Sequence, residues 1–152
     1  ARIQFIVDEV DSEPVQLKVH AEASDNATEF KSDTYNISSR RTTNASVSWS
    51  PGPWRMVGSE GPAQRTPNLA KLVKEVVERP GWKSGHPLVF LFSGQGRRTA
   101  RSAQRDPVLG PRLIIKTKAE LEHERSEAPA KTDSKRTAGP RATVQLYFAE
   151  PI

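Results

Sequence analysis

The residues of this chain that could carry chemistry include three carboxylates near its start. Asp8, Asp11 and Glu13 lie within one short acidic stretch, and clustered carboxylates are the ligands that hard cations such as calcium prefer. A solvated turn is the competing interpretation of the same stretch. We therefore expect no cofactor, with a structural calcium ion at these three residues as the alternative that stays open.

Aromatic rings and arginines form a second candidate set. Sugar-binding surfaces use a ring as an apolar platform and polar side chains to hold hydroxyls. Trp54, in a proline-rich irregular loop, is the best platform candidate, with Tyr35 as a second ring, whereas Trp49 and Trp82 are expected to pack inside. Guanidinium groups match the carboxylates and sulfates of acidic polysaccharides, although a structural set of ion pairs is the alternative. The arginines in question are Arg40, Arg41, Arg97, Arg98 and Arg101.

Several kinds of chemistry have no support in the sequence. The chain has no cysteine, its three histidines show no paired ligand spacing, and SGQGRR lacks the lysine of a phosphate-binding loop. The net charge of +5 comes from clusters without interleaved aromatic residues, so nucleic acid is not an expected partner. The chain is therefore predicted not to be an enzyme.

The elements that would position these residues are mostly strands. Alternating or continuous apolar runs predict strands over residues 2–7, 14–22, 45–50, 87–93, 111–116 and 142–149. An apolar stripe predicts one helix near 67–78, with Thr66 as its cap and Pro67 at its first position. This pattern favours a mostly β fold, an antiparallel β-sandwich of jelly-roll type with one inserted α-helix.

The chain is predicted to divide into three parts. Residues 1–117 form the sandwich, the charged residues 118–141 form a flexible linker, and residues 142–152 supply a strand of a following domain or a strand added to the same sheet. The longest apolar run is too short to cross a bilayer, so membrane insertion is not expected.

A family resemblance extends this interpretation. The runs ARIQFIVDE, ISSRRTTNASVSWSPGPW, QRTPNLAKLVKEVVERPGWKSG and LVFLFSGQGRRTARS resemble a β-sandwich module of large secreted proteins of planctomycetes and marine bacteria. Its layout is similar to DNRLRE-type carbohydrate-binding sandwiches, in the V-x-W, W-x-x-G and P-x-L-x-I segments at 47–49, 82–85 and 111–115. The resemblance implies that the module's first strands are missing here. A sheet edge would then be open unless another segment fills it.

The last residues carry a second, shorter resemblance. ATVQLYFAEP is similar to the strand that opens malectin-like domains, which are secreted carbohydrate-binding sandwiches. Together the resemblances imply a non-catalytic, carbohydrate-binding-like or adhesive module of a larger protein that is secreted, periplasmic or on the cell surface. Its partners would be a polysaccharide or glycan and neighbouring domains or subunits. The alternative is a structural subunit or spacer that docks on an extracellular complex through an open sheet edge.

Overall fold

The computed structural model describes residues 1–126 and 144–148 and shows a mostly β chain, as predicted. The strands are β1 (Arg2–Gln4), β2 (Gln16–Ala21), β3 (Val47–Trp49), β4 (Leu88–Gln95), β5 (Arg112–Ile114) and β6 (Val144–Phe148). The helices are α1 (Ala70–Val77) and α2 (Lys118–Ser126), and a short 3-10 turn spans Pro62–Gln64.

The strands form two sheets. One sheet pairs β1 with β5 antiparallel, and the other has the order β3-β2-β4-β6. Within the second sheet β2 is antiparallel to both β3 and β4, so that Gln16 lies opposite Gln95 and Ala21 opposite Phe90. The antiparallel arrangement expected from the sequence holds for these pairs. It does not hold for β6, which runs parallel to β4.

Strand β4 lies between β2 and β6, as its continuous apolar run predicts. Val89 and Phe90 point to opposite faces of the sheet, and both are almost completely buried. A strand covered on both faces needs apolar side chains at successive positions rather than at alternate ones. The run LVFLF meets that requirement.

Aromatic packing joins the two sheets through one core. The Phe5 ring, just beyond β1, stacks on the Trp49 ring of β3 with centroids 5.5 Å apart, and it meets the Phe92 ring of β4 edge-on at 6.1 Å. The expectation that Trp49 packs inside is confirmed. Ile3 of β1 and Val19 of β2 are fully buried in the same cluster.

Trp54 belongs to this core and does not offer its ring to solvent. Only 1 % of the residue is exposed, its indole N–H donates to the Ala63 carbonyl at 3.3 Å, and its ring lies 6.2 Å from Phe5. The expectation that Trp54 is an exposed sugar platform is therefore wrong. The cause is a backbone bridge: Trp54 and Asp11 exchange N–H to carbonyl hydrogen bonds of 2.8 and 2.9 Å, which hold the loop against the core.

Helix α1 begins later than its sequence pattern predicts. The Asn68 side-chain oxygen accepts a hydrogen bond from the Ala70 N–H at the first turn. Thr66 is not the cap, because its buried hydroxyl oxygen instead accepts the N–H of Ile3 at 2.9 Å. The predicted stripe is present, with Leu72 and Val76 buried against the sheet.

Helix α2 occupies the first part of the segment predicted to be a flexible linker. Thr117 and Glu120 form a reciprocal cap, in which the Thr117 N–H donates to the Glu120 carboxylate at 2.7 Å and the Glu120 N–H donates to the Thr117 hydroxyl oxygen. The sequence T-K-A-E is the signal for this cap. Residues 127–143 and 149–152 lie outside the described residues, and the division into domains stays a prediction.

Replacing Trp54 with alanine should test its place in the core. We expect Trp54→Ala to lower the free energy of unfolding by about 3–5 kcal/mol, because the lost ring leaves a cavity between the sheets. Denaturant unfolding measures this change. Met56→Ala is the control, since Met56 is 69 % exposed and should change stability by less than about 0.5 kcal/mol. Equal losses for the two variants would contradict the core position of Trp54.

Candidate functional site

The predicted ligand-binding residues do not converge on one site. Arg97 and Arg98 follow the end of β4, where Gln95 lies opposite Gln16. Arg40 and Arg41 lie by the other end of β2, where Glu22 pairs with Thr42. Strand β2 separates these ends by roughly 17 Å, at about 3.3 Å per residue. Each end must therefore be considered by itself.

Arg98 is buried and holds the first end together. Its side chain is 2 % exposed, and its guanidinium donates to the carbonyls of Glu13 at 2.8 Å, Pro51 at 3.3 Å and Gly52 at 3.3 Å. It also donates to its neighbour's carbonyl, that of Arg97, at 2.6 Å and pairs with the Asp11 carboxylate at 3.5 Å. We call these contacts the Arg98 cluster. The expectation that Arg98 binds a ligand is wrong, because its donors are used inside the protein.

The glycines of SGQGRR allow β4 to reach the Arg98 cluster. Gly94 has φ 138°, and a Cβ atom there would lie 2.0 Å from the Gln16 carbonyl oxygen. Gly96 has φ 86°, and a Cβ atom there would lie 2.5 Å from the Pro14 carbonyl oxygen. Both positions therefore need glycine for two reasons, the positive φ and the close backbone. The two glycines therefore have a structural role at the end of β4.

The carboxylate of Asp11 accepts hydrogen bonds within the Arg98 cluster. It accepts the Glu13 N–H at 2.9 Å and meets Arg97 at 3.3 Å as well as Arg98. The Glu13 N–H, the Arg97 hydrogen bond and the two guanidinium charges hold the pKa of Asp11 below its usual value. Asp8 faces Arg101 instead, at 3.8 Å. Within residues 1–126 and 144–148, no group of three or more acidic or histidine side chains is placed to hold a metal ion.

Arg101 borders a shallow depression beyond this cluster. The depression has a volume of about 200 Å³. Its lining residues are Asp8, Arg101, Ser102, Arg105, Asp106 and Leu109. Two carboxylates balance the two guanidinium groups, so the lining does not select clearly for an anion. Arg97, with 73 % of its side chain exposed, lies outside it and pairs with Asp11.

At the second end of β2, Arg40 is a buried arginine that binds backbone carbonyls, as Arg98 does at the first end. Its side chain is 6 % exposed and forms a 2.6 Å ion pair with Glu22. The same guanidinium donates to the carbonyls of Thr28 and Glu29 at 3.0 Å each and lies 4.1 Å above the Phe30 ring. Arg40 therefore fixes the base of a loop, residues 28–41, that we call the Tyr35 loop. Its predicted role as a ligand-binding residue is wrong for the same reason as that of Arg98.

Tyr35 lies at the tip of this loop in a strained conformation. Its φ is 64°, and among the described residues it is the only non-glycine residue with a positive φ. The ring is nevertheless 73 % exposed, so burial of the side chain does not compensate the strain. A non-glycine residue in this region costs about 1–3 kcal/mol, and such residues cluster at active sites and at segments that clamp ligands. Arg41, which is exposed, leaves the loop at its base.

The sequence identified the candidate aromatic rings and arginines, but it did not show which of them are buried in the folded chain. Only Tyr35 and Arg41 at one end, and Arg97 and Arg101 at the other, keep the exposure that ligand binding needs. No local signal distinguishes Arg40 from Arg41, or Arg98 from Arg97. The carbonyl groups that bind each buried guanidinium lie elsewhere in the chain, up to 12 residues from Arg40 and up to 85 residues from Arg98.

Comparisons with family models, with curated proteins and with solved structures gave no significant match to this chain. The family resemblance noted in the sequence therefore remains a prediction. Neither α1 nor α2, the helices of the described ranges, has the length and apolar character that a bilayer span requires.

Arg98 and Arg97 offer a matched pair for testing the buried cation. Arg98→Met should lower the free energy of unfolding by about 2–4 kcal/mol, because it leaves several backbone carbonyls without their guanidinium donor. Arg97→Met removes the same charge from the surface and should cost less than about 1 kcal/mol. Denaturant unfolding at neutral pH compares the two. Similar values would show that the Arg98 cluster does not stabilise the fold.

The Asp11 carboxylate should make stability depend on pH in the acid range. Its pKa is lower in the folded chain than in the unfolded chain, so its contribution is complete above the unfolded value of about 3.9 and is lost as pH falls through the folded value. Wild type and Asp11→Asn should thus differ most near neutral pH and converge below about pH 4. Urea unfolding of both proteins across this range measures the difference. A gap that stays constant with pH would rule out the ionised carboxylate as its source.

Proposed function

We propose that this chain is a non-catalytic, carbohydrate-binding-like or adhesive module of a secreted or cell-surface protein, with the Tyr35 loop as its recognition element. The observation that carries the proposal is the exposed Tyr35 ring on a left-handed backbone. Tyrosine is a poor choice for that conformation, since glycine or asparagine adopts it at lower cost. A ring kept there in spite of the strain is best explained by contact with a ligand.

Hydrogen bonds and an ion pair within the Tyr35 loop also order it before a ligand binds. Arg40 ties its two arms to Glu22, and the Ser39 N–H donates to the Tyr35 carbonyl at 2.9 Å across the tip. A loop ordered before binding loses less conformational entropy when the ligand arrives. The exposed ring offers the apolar face on which a sugar stacks, and Arg41 brings a guanidinium group to the same loop.

A β-sandwich of the jelly-roll kind is the fold we propose to go with this function. The support for it is the shared core, in which Phe5, just beyond β1, packs against Trp49 and Phe92 of the four-stranded sheet. Loops at the ends of packed sheets are common places for binding residues, because the scaffold holds them rigidly. The resemblance to carbohydrate-binding sandwiches agrees with this arrangement. The net charge of +5 favours acidic polysaccharides over neutral ones.

The variant Tyr35→Gly should change ligand binding and the free energy of unfolding in opposite directions. Glycine relieves the backbone strain, so we expect the free energy of unfolding to rise by roughly 1 kcal/mol. Binding should fall at least tenfold, because the ring is lost. Calorimetric titration with alginate and dextran sulfate, with neutral dextran for comparison, measures binding, and urea unfolding measures stability. Opposite changes in the two quantities are the expected result.

Val108→Ala is the matched control, since Val108 is an apolar residue exposed to 74 % that lies outside the Tyr35 loop. It should leave binding unchanged. Tyr35→Phe should keep most of the affinity if the ring face is the platform. The proposal fails if wild-type protein binds none of the polysaccharides, or if Tyr35→Gly is more stable and binds as well as wild type.

A further inference from the structure

The side chain of Tyr35 contributes little to the shape of the Tyr35 loop. Its ring is largely exposed, so interactions of other residues have to offset the strain of its positive φ. Asn36, the next residue in the chain, is partly buried and forms hydrogen bonds through its side chain and through its backbone. We therefore consider each of these contacts of Asn36 in turn.

The side-chain oxygen of Asn36 joins the two arms of the loop. Its Oδ1 atom accepts the Lys31 N–H at 3.0 Å and an Arg40 N–H at 3.3 Å. Lys31 precedes the tip and Arg40 follows it, so one amide oxygen closes the loop around Tyr35. Asparagine side chains in turns usually bond backbone groups about two residues away, whereas Lys31 lies five residues before Asn36. The contact therefore depends on the whole tip and not on one local turn.

The peptide unit between Tyr35 and Asn36 is held at both ends. Its carbonyl group, that of Tyr35, accepts the Ser39 N–H at 2.9 Å, and its N–H group, that of Asn36, donates to the Asp33 carbonyl at 3.1 Å. A peptide unit is planar, so fixing both groups fixes the ψ angle of Tyr35. The Asn36 carbonyl also accepts the Arg40 Nε–H at 3.0 Å. The left-handed backbone of Tyr35 is thus held largely from Asn36.

We infer that Asn36 is the positioning residue of the Tyr35 loop, whose amide oxygen holds the tip so that the Tyr35 ring keeps the orientation in which it meets a ligand. The inference rests on the proposed role of this loop in recognition. Without that oxygen the Lys31 N–H and one Arg40 N–H lose their acceptor, and the strained backbone relaxes. A ligand must then order the loop when it binds, which lowers the affinity.

NMR relaxation of the whole chain measures the order of the loop without any ligand. In wild type we expect an order parameter of about 0.85 for the Tyr35 amide, and in Asn36→Ala about 0.6 or lower. Asn36→Asp keeps an acceptor oxygen in the same place and adds charge to its bond with Arg40, so it should restore the wild-type value. Asn26→Ala is the matched control, since Asn26 is an exposed asparagine outside the loop, and it should change nothing.

Calorimetric titration with alginate and dextran sulfate supplies the second readout. The Kd of Asn36→Ala should rise roughly three- to tenfold, with a more unfavourable binding entropy, because the ligand now orders the loop. The Kd of Asn26→Ala should stay at the wild-type value. Asn36→Asp is compared through loop order alone, since its added negative charge would repel these polysaccharides. Urea unfolding checks that each variant folds.

The two readouts separate the possible results. An unchanged Tyr35 order parameter in Asn36→Ala would overturn the inference, and so would lost order with an unchanged Kd. Equal loss of order in Asn36→Asp and Asn36→Ala would also overturn it, because the acceptor oxygen would then not be the cause. If wild-type protein binds none of the polysaccharides, the proposed function fails, whereas the order parameters still decide whether Asn36 positions Tyr35.

Discussion

The structure depends on the hydrogen bonds and the ion pair that stabilise the buried guanidinium group of Arg98. Arg98 is almost completely removed from water, and an unpaired charge in that position would be very costly. Carbonyl groups from the segments before β2 and after β3, together with the Asp11 carboxylate, supply the partners it needs. Asp11 is in turn bridged through its backbone to Trp54, which fills the core between the sheets. The guanidinium therefore connects the end of β4 to two loops and, through Asp11, to the main aromatic cluster.

Arg40 repeats this arrangement at the opposite end of the four-stranded sheet. It joins Glu22, just beyond β2, to carbonyls in both arms of the Tyr35 loop. In a chain without disulfides, a planar group with several donors can cross-link loops that have no regular structure of their own. The energy that such anchoring supplies allows a neighbouring residue to remain strained. Tyr35, with its left-handed backbone, is the residue that this anchoring allows to remain strained.

The four-stranded sheet poses a different problem, that of its edges. Strand β3 is only three residues long, and a short edge offers little for another chain to pair with. Strand β4 is eight residues long and apolar over its first half, so it needs a neighbour on each side. Strand β2 supplies one through an antiparallel ladder, and β6 supplies the other through a parallel one. The segment Val144–Phe148, which lies within the last predicted strand, thus pairs with β4 in this structure.

The sequence by itself determined the features that local pattern controls. The apolar run of β4, the alternation of β2 and the stripe of α1 predicted these elements because each depends on side chains a few residues apart, and together they indicate the mostly β class. Tertiary structure decided the rest. Trp54 turned inward, Thr66 bonded to β1 instead of capping α1, and Arg98 met carbonyls as far as 85 residues away. Adjacent arginines look alike in sequence, yet one of each pair is buried and the other exposed. Only the position of distant backbone acceptors separates them, and that position exists only once the chain has folded.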